Sequence, residues 1–137
     1  MEDYIVSTER NRLDIPMIHA FLSERSYWAK GRSIEAVRQT IENSLCFGIY
    51  DQTGKQLGFA RLATDYAVFG WLMDVFILEE YRGLGLGKKL IEHVVGHPVV
   101  KNLRRVGLAT SDAHELYRQF GFSNLSAPEK MMELILA

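Results

Sequence analysis

A single cysteine, Cys46, leaves no partner for a disulfide within the chain and no second sulfur for a metal cluster. Its place inside the apolar run from Leu45 to Tyr50 reads as a buried structural thiol. A basic excess is also missing: 16 Lys and Arg stand against 17 Asp and Glu, for a net charge of -1 and a pI of about 6.4. No overall field therefore drives binding to nucleic acid or acidic membranes, and neither is expected as a partner. No apolar run is long enough to span a bilayer, and the first residues lack the charged, apolar and cleavable order of a leader, so a cytoplasmic protein is expected. Internal repeats and low-complexity linkers are absent. At 137 residues one domain spanning 1–137 is expected, able to bury roughly 68% of the surface its unfolded chain exposes.

Periodicity alternates along the chain. Residues 4–7 read as a first strand. Asp14 is a plausible N-cap, Pro16 suits a first helical turn, and Ile15, Ile18 and Leu22 form one apolar face that predicts a helix to about Ser23. Ser33 caps a second helix, with Ile34, Val37 and Ile41 on its buried side and Arg38 and Glu42 as a solvated pair. The pattern then becomes strand-like: Leu45 to Tyr50, a turn over 51–54, Gln56 to Thr64, and a third antiparallel run over 68–78. A helix with Leu86, Leu90, Ile91, Val94 and Val95 on one face ends at Gly96, before Pro98. A short strand over 106–109 and a helix ending near Phe120 follow, the helix opened by a capping pair of Asp112 and Glu115. Residues 131–136 are expected to close the sheet as a last strand. This order predicts a mixed α/β sheet with helices on both faces.

The strand Val75-Phe76-Ile77-Leu78 breaks into Arg82-Gly83-Leu84-Gly85-Leu86-Gly87-Lys88 and opens that third helix. Alternating glycines let successive N–H groups converge without a Cβ in the way, and a helix N-terminus adds free donors and partial positive charge. A phosphate-bearing cofactor is the expectation. Arg82, Lys88 and Lys89 make a local positive patch suited to a compact polyphosphate. A Walker loop requires glycine where Arg82 stands and a hydroxyl where Lys89 stands. A dinucleotide fingerprint requires a third glycine where Lys88 or Leu90 stands. Both spacings fail. What remains is Arg-x-x-Gly-x-Gly, met by Arg82, Gly85 and Gly87.

That pattern, with Asp74-Val75-Phe76-Ile77 before it, Glu80-Tyr81 beside it, and Leu116-Tyr117 and Gly121-Phe122 downstream, resembles the GNAT acetyltransferase family over about residues 11–122. The resemblance implies the GNAT acyl-CoA fold: a central, mostly antiparallel sheet splayed between its fourth and fifth strands. It implies an N-acetyltransferase that moves acetyl from acetyl-CoA to a primary amine, of a small molecule or a protein, by direct attack in a ternary complex. By position, Arg82, Gly83, Leu84, Gly85, Leu86, Gly87 and Lys88 would hold the pyrophosphate, while the backbones of Val75, Phe76 and Ile77 would hold the pantetheine arm and the thioester oxygen. Many family members carry asparagine seven residues before the tyrosine. Thr110 stands there, still able to bond the cofactor arm, and Ala113 keeps the small residue between.

Tyr117 matches the family's tyrosine, and a phenol of pKa about 10 is protonated near neutrality, as a donor to a thiolate must be. Asp74 leads the candidates for general base, with orientation of the substrate ammonium and capping of a bulge amide as equal alternatives. Asp65, Glu79 and His114 trail it. Tyr27 and Trp28, in the segment joining the first two helices, either cover core or line an acceptor pocket. Arg32 would suit a substrate carboxylate, and Tyr66, Phe69 and Trp71 would form the opposite wall. The acceptor's identity and homodimer formation stay open. A non-catalytic acyl-CoA sensor or partner-binding module is the alternative, and an acetylating toxin directed at tRNA is disfavoured by the balanced charge.

Overall fold

The computed structural model describes residues 3–136. Five strands form one sheet in sequential order: β1 Ile5–Ser7, β2 Leu45–Tyr50, β3 Gln56–Thr64, β4 Phe69–Ile77 and β5 Arg105–Leu108. The first three pairings are antiparallel and β4–β5 is parallel, so the sheet is mixed, as expected. The β2–β3 hairpin turns where Asp51 was expected to turn it, its carboxylate accepting from the N–H groups of Thr53 and Lys55.

Helices cover both faces. On one lie α1 (Ile15–Ala20) and α2 (Ile34–Glu42), whose Ile18, Val37 and Ile41 pack with Phe59 and Phe76. On the other lie α3 (Leu86–Gly96), the short α4 (Pro98–Lys101) and α5 (His114–Arg118). Leu90, Ile91 and Val94 are wholly buried there against Phe47, Leu57 and Leu62. Each such aliphatic side chain contributes about 1.5–3 kcal/mol. Asp14 and Ser33 cap α1 and α2 by accepting from the N–H groups of Met17 and Ala36.

α3 ends at Gly96 before Pro98, as expected, and Pro98 then opens the short α4, where it stands at a first-turn position and His97 Nδ1 accepts from Val99 N–H. Three expectations are corrected. The first helix does not stop at Ser23: α1 runs on as a π turn over Phe21–Arg25. The Asp112 and Glu115 capping pair does not form. Ala113 occupies the N-cap of α5, Thr110 Oγ1 accepts from Ala113 N–H at 3.1 Å, and Glu115 pairs with Arg118. Finally, residues 131–136 are not a strand of this sheet. They follow a 3-10 turn, Pro128–Lys130, and lie exposed, so β5 is the sheet's last strand. Among the described residues no helix is long and apolar enough to cross a membrane.

Candidate active site

The site begins where two strands part. The parallel ladder between β4 and β5 runs from Phe69 opposite Arg105 to Leu72 opposite Leu108 and stops. β4 continues to Ile77, so residues 73–77 have no ladder partner on that flank among the described residues. A β-bulge lies at the same point: Phe59 pairs with Phe76 and Arg61 with Met73, leaving Ala60 opposite both Asp74 and Val75. Asp74 takes φ 56°, a left-handed conformation at the bulge, just beyond the point where the β4–β5 ladder ends.

The resulting cleft has a volume of about 430 Å³. Trp71, Asp74 and Val75 come to it from β4, Thr110 from the loop after β5, Tyr117 from α5, and Tyr27 and Trp28 from the segment between α1 and α2. Ser111 Oγ donates to the Tyr27 hydroxyl at 2.6 Å, joining the two rims. The Trp71 ring lies over Gly107, where a Cβ would come within 2.5 Å of it, so only glycine suits that β5 position. A larger concavity of about 570 Å³, between α3 and residues 120–126, contains none of the expected site residues.

Asp74 is 4% exposed and its carboxylate is fully engaged. Oδ2 accepts from Arg61 Nε at 2.9 Å and from Arg32 Nη1 at 2.7 Å, while Oδ1 accepts from Trp28 Nε1 at 2.9 Å. Burial alone would push its pKa up. The guanidiniums of Arg61 and Arg32 outweigh that and hold the group below the usual carboxylate range. Arg61 also donates to Ser44 Oγ at 3.1 Å. Tyr117 is 8% exposed, and no group among the described residues hydrogen-bonds its hydroxyl. Burial, with Tyr27 and Asp112 nearby, pushes its phenol up to about 12, so it carries its proton across the neutral range.

The glycine loop stands at the far end of the open flank and does not line this cleft. Gly83 and Gly85 have φ 82° and 79°, with open space where a Cβ would point. Gly85 is the N-cap of α3 and its carbonyl accepts from Lys89 N–H, so the N–H groups of Leu86, Gly87 and Lys88 begin the helix without an intrahelical acceptor. These donors and the bare glycine surface fit a pyrophosphate. Arg82 Nε is tied back to the Ile77 carbonyl at 3.1 Å.

Several expected side chains lie outside the cleft. Phe76 stacks on Phe21 at 4.0 Å between ring centres, in the core under α1, so only its backbone reaches the open flank. Ile77 also misses the lining, and Arg32 touches the cleft only through Asp74. Asp65 accepts from three backbone N–H groups in the β3–β4 turn, and Glu79 pairs with Arg25 at the surface. Sequence reasoning missed Arg61 and Ser111. Arg61 was legible as a lone cation inside the otherwise apolar β3, a place where charge needs a buried partner. Ser111 carried no such signal.

The mixed sheet and the cleft between its parted strands define a protein of the acetyltransferase type, and comparison with known proteins agrees. Residues 42–124 match the family model described as an acetyltransferase (GNAT) domain. A relative from Gibberella zeae, provisionally named an acetyltransferase, is 34% identical over 84% of this chain and 76% of its own. The chloroplastic GCN5-related N-acetyltransferase 2 of Arabidopsis thaliana is 34% identical over 55% of this chain, and the matched part is 30% of that protein. A crystal structure from Xanthomonas campestris pv. campestris, provisionally titled an acetyltransferase of the GNAT family, superimposes with a TM-score of 0.94 at 45% identity, covering 99% of this chain and 95% of that one. The chain belongs to the GNAT acetyltransferase family.

Proposed function

We propose that the protein is an N-acetyltransferase that uses acetyl-CoA and acetylates a primary amine by direct attack in a ternary complex. The observation that carries this reading is the single open flank of β4, which runs from the Asp74–Val75 bulge to the glycine loop with the Tyr117 hydroxyl on the same cleft. Acetyl-CoA would supply the acetyl group as a thioester. The N–H groups of residues 83–88 would take the pyrophosphate, with Arg82 and Lys88 adding charge, and the backbones of Val75, Phe76 and Ile77 would pair with the pantetheine arm as a strand would. Thr110 would bond the arm from the other side. Backbone N–H at the bulge stabilises the carbonyl oxygen as charge grows on it.

The amine nitrogen forms the new bond to the carbonyl carbon and the carbon–sulfur bond breaks. Tyr117 gives its proton to the departing thiolate, and the proton leaving the amine restores the phenol through cleft water. Asp74, buried with two guanidiniums and an indole N–H already on its carboxylate, offers no free negative charge to an ammonium; it would hold the bulge, Trp28 and Arg32 in place and leave proton removal to water. Tyr27, Trp28 and Trp71 would contact the acceptor, with Arg32 behind them.

The engaged Asp74 also favours one second reading, a module that binds acyl-CoA without turning it over. Thermal shift with acetyl-CoA, followed by thiol release against pooled amines and peptides, separates the two. Stabilisation with thiol release is expected. Stabilisation without release across a broad pool supports the binding module, and no stabilisation by either acetyl-CoA or CoA removes both.

A further inference from the structure

Two carboxylates line the cleft, Asp74 and Asp112, and they differ in what they meet. Asp74 is closed off by Trp28, Arg32 and Arg61. Asp112 does not cap α5, since Thr110 Oγ1 takes that place on Ala113 N–H. Among the described residues no hydrogen bond or ion pair engages the Asp112 carboxylate. Its place on the rim is nevertheless fixed from both sides. Ala113 N–H is held by Thr110, and Ser111 Oγ donates to the Tyr27 hydroxyl at 2.6 Å. The charge of Asp112, with Tyr27, bears on the Tyr117 phenol.

The rest of the lining is aromatic, aliphatic or neutral. Tyr27 and Trp28 stay 64% and 40% exposed, and apolar surface left open at a cleft marks a contact surface. Their rings are held: Trp28 Nε1 donates to Asp74 Oδ1 at 2.9 Å, and Tyr27 meets Trp28 edge-on at 5.0 Å between ring centres. Trp71 adds a third ring from β4. Among the described residues no Lys, Arg or His lines the cleft. Arg32, expected to suit a substrate carboxylate, is bound to Asp74 at 2.7 Å and lies outside the lining. An anion entering here meets Asp112 and no cation, whereas an ammonium meets a carboxylate and aromatic rings, both of which attract it.

On the acetyl-transfer reading of this cleft, we propose that Asp112 receives the acceptor's ammonium, and that the acceptor is a small primary amine with an apolar body and no carboxylate or phosphate beside its nitrogen. A cleft of about 430 Å³ that also takes the thioester has room for a small body only. Tyr27, Trp28 and Trp71 hold that body, and Asp112 aligns the nitrogen near the Tyr117 hydroxyl until water removes its proton. A carboxylate next to the nitrogen would lie against Asp112 without a counter-ion, which makes ordinary amino acids poor acceptors.

Matched pairs that differ by one carboxylate test this: 2-phenylethylamine and phenylalanine, tryptamine and tryptophan, isopentylamine and leucine. In thiol release with acetyl-CoA and the full chain, the amines are expected to exceed their amino acids at least about tenfold in kcat/KM. Asp112→Asn is expected to raise KM for the amines about fivefold to tenfold, with kcat changed less than about twofold. It should also abolish the rise in KM that added salt produces in the wild type, and Asp112→Glu should restore most of both. An unchanged acetyl-CoA thermal shift in the two variants shows that fold and donor site are intact. Equal or better use of the amino acids overturns the proposal. So does a normal acetyl-CoA shift without turnover of any of the amines, and so does an Asn variant with wild-type KM and salt response. Absence of an acetyl-CoA shift in the wild type removes the acetyl-transfer reading itself, and the proposal with it.

Discussion

Arg61 on β3 and Asp74 on β4 form a buried ion pair, Nε to Oδ2 at 2.9 Å, at the bulge where the sheet opens into the cleft. Aspartate is one of the few residues besides glycine that tolerate a left-handed conformation, and the guanidiniums that meet its carboxylate offset the cost of burying that charge at the bulge. Fold and site therefore depend on the same contact. Breaking one partner of a buried pair typically costs about 3–5 kcal/mol, because the other charge is left unpaired. Arg61→Met and Asp74→Asn are each expected to lower unfolding free energy by amounts of that order in urea titrations, with the double variant costing clearly less than the sum. Additive losses would mean the pair is not coupled.

The same pair sets a pH dependence. Asp74 has its folded pKa depressed, so its stabilising contribution is complete above its unfolded value of about 4 and is lost as pH falls through the lower folded value. Unfolding free energy of the wild type should fall faster than that of Asp74→Asn as pH drops below about 4. Parallel acid profiles would show that Asp74 titrates alike in both states.

For Tyr117 the sign is opposite. Its folded pKa is raised to about 12. The contribution it makes is present below the unfolded value of about 10 and is lost as pH rises through the folded value. Tyr117→Phe should remove that alkaline loss, lower turnover by about 10²–10⁴-fold and leave the acetyl-CoA thermal shift unchanged. Equal turnover in the variant would remove the tyrosine from the mechanism.

Gly85 tests the anion site. A Cβ there meets no atom within 4 Å, so Gly85→Ala introduces backbone strain at φ 79° and not a clash. The left-handed conformation costs an L-residue roughly 1–2 kcal/mol. The expected result is a small loss of stability with a weaker acetyl-CoA thermal shift, while Gly96→Ala, outside the loop, leaves that shift intact. Equal ligand shifts in both variants would argue against the loop as the pyrophosphate site.

Cys46 offers a control on the fold. Burial pushes its thiol up to about 12, against a partial lowering by Arg61 and Arg10. Native protein at pH 8 is expected to resist alkylation and to react fully in urea, as mass spectrometry would show. Rapid labelling of the native chain would contradict the packing around β2.

Local pattern carried much of this protein. The glycine loop was visible because three glycines at fixed spacing, a preceding apolar strand and a following amphipathic helix are all properties of neighbouring residues. The same holds for the helices capped by Asp14 and Ser33 and for the hairpin turned by Asp51. The capping pair at Asp112 was misjudged because Thr110, two positions earlier, supplies the acceptor instead. Residues 131–136 read as a strand because alternating apolarity is a local property, while pairing with β5 depends on tertiary contacts that periodicity does not encode.

By itself the sequence determined the first five strands and the main helices between them, the glycine loop and the tyrosine beyond it, since each is written within a few consecutive residues. Only the tertiary structure decided what Asp74 is. Its three donors come from residues 28, 32 and 61, and its conformation comes from a mismatch of one residue between β3 and β4. Contacts of that separation have no signature in local periodicity, because the energy that selects them is gained when the sheet forms and the charges leave water together.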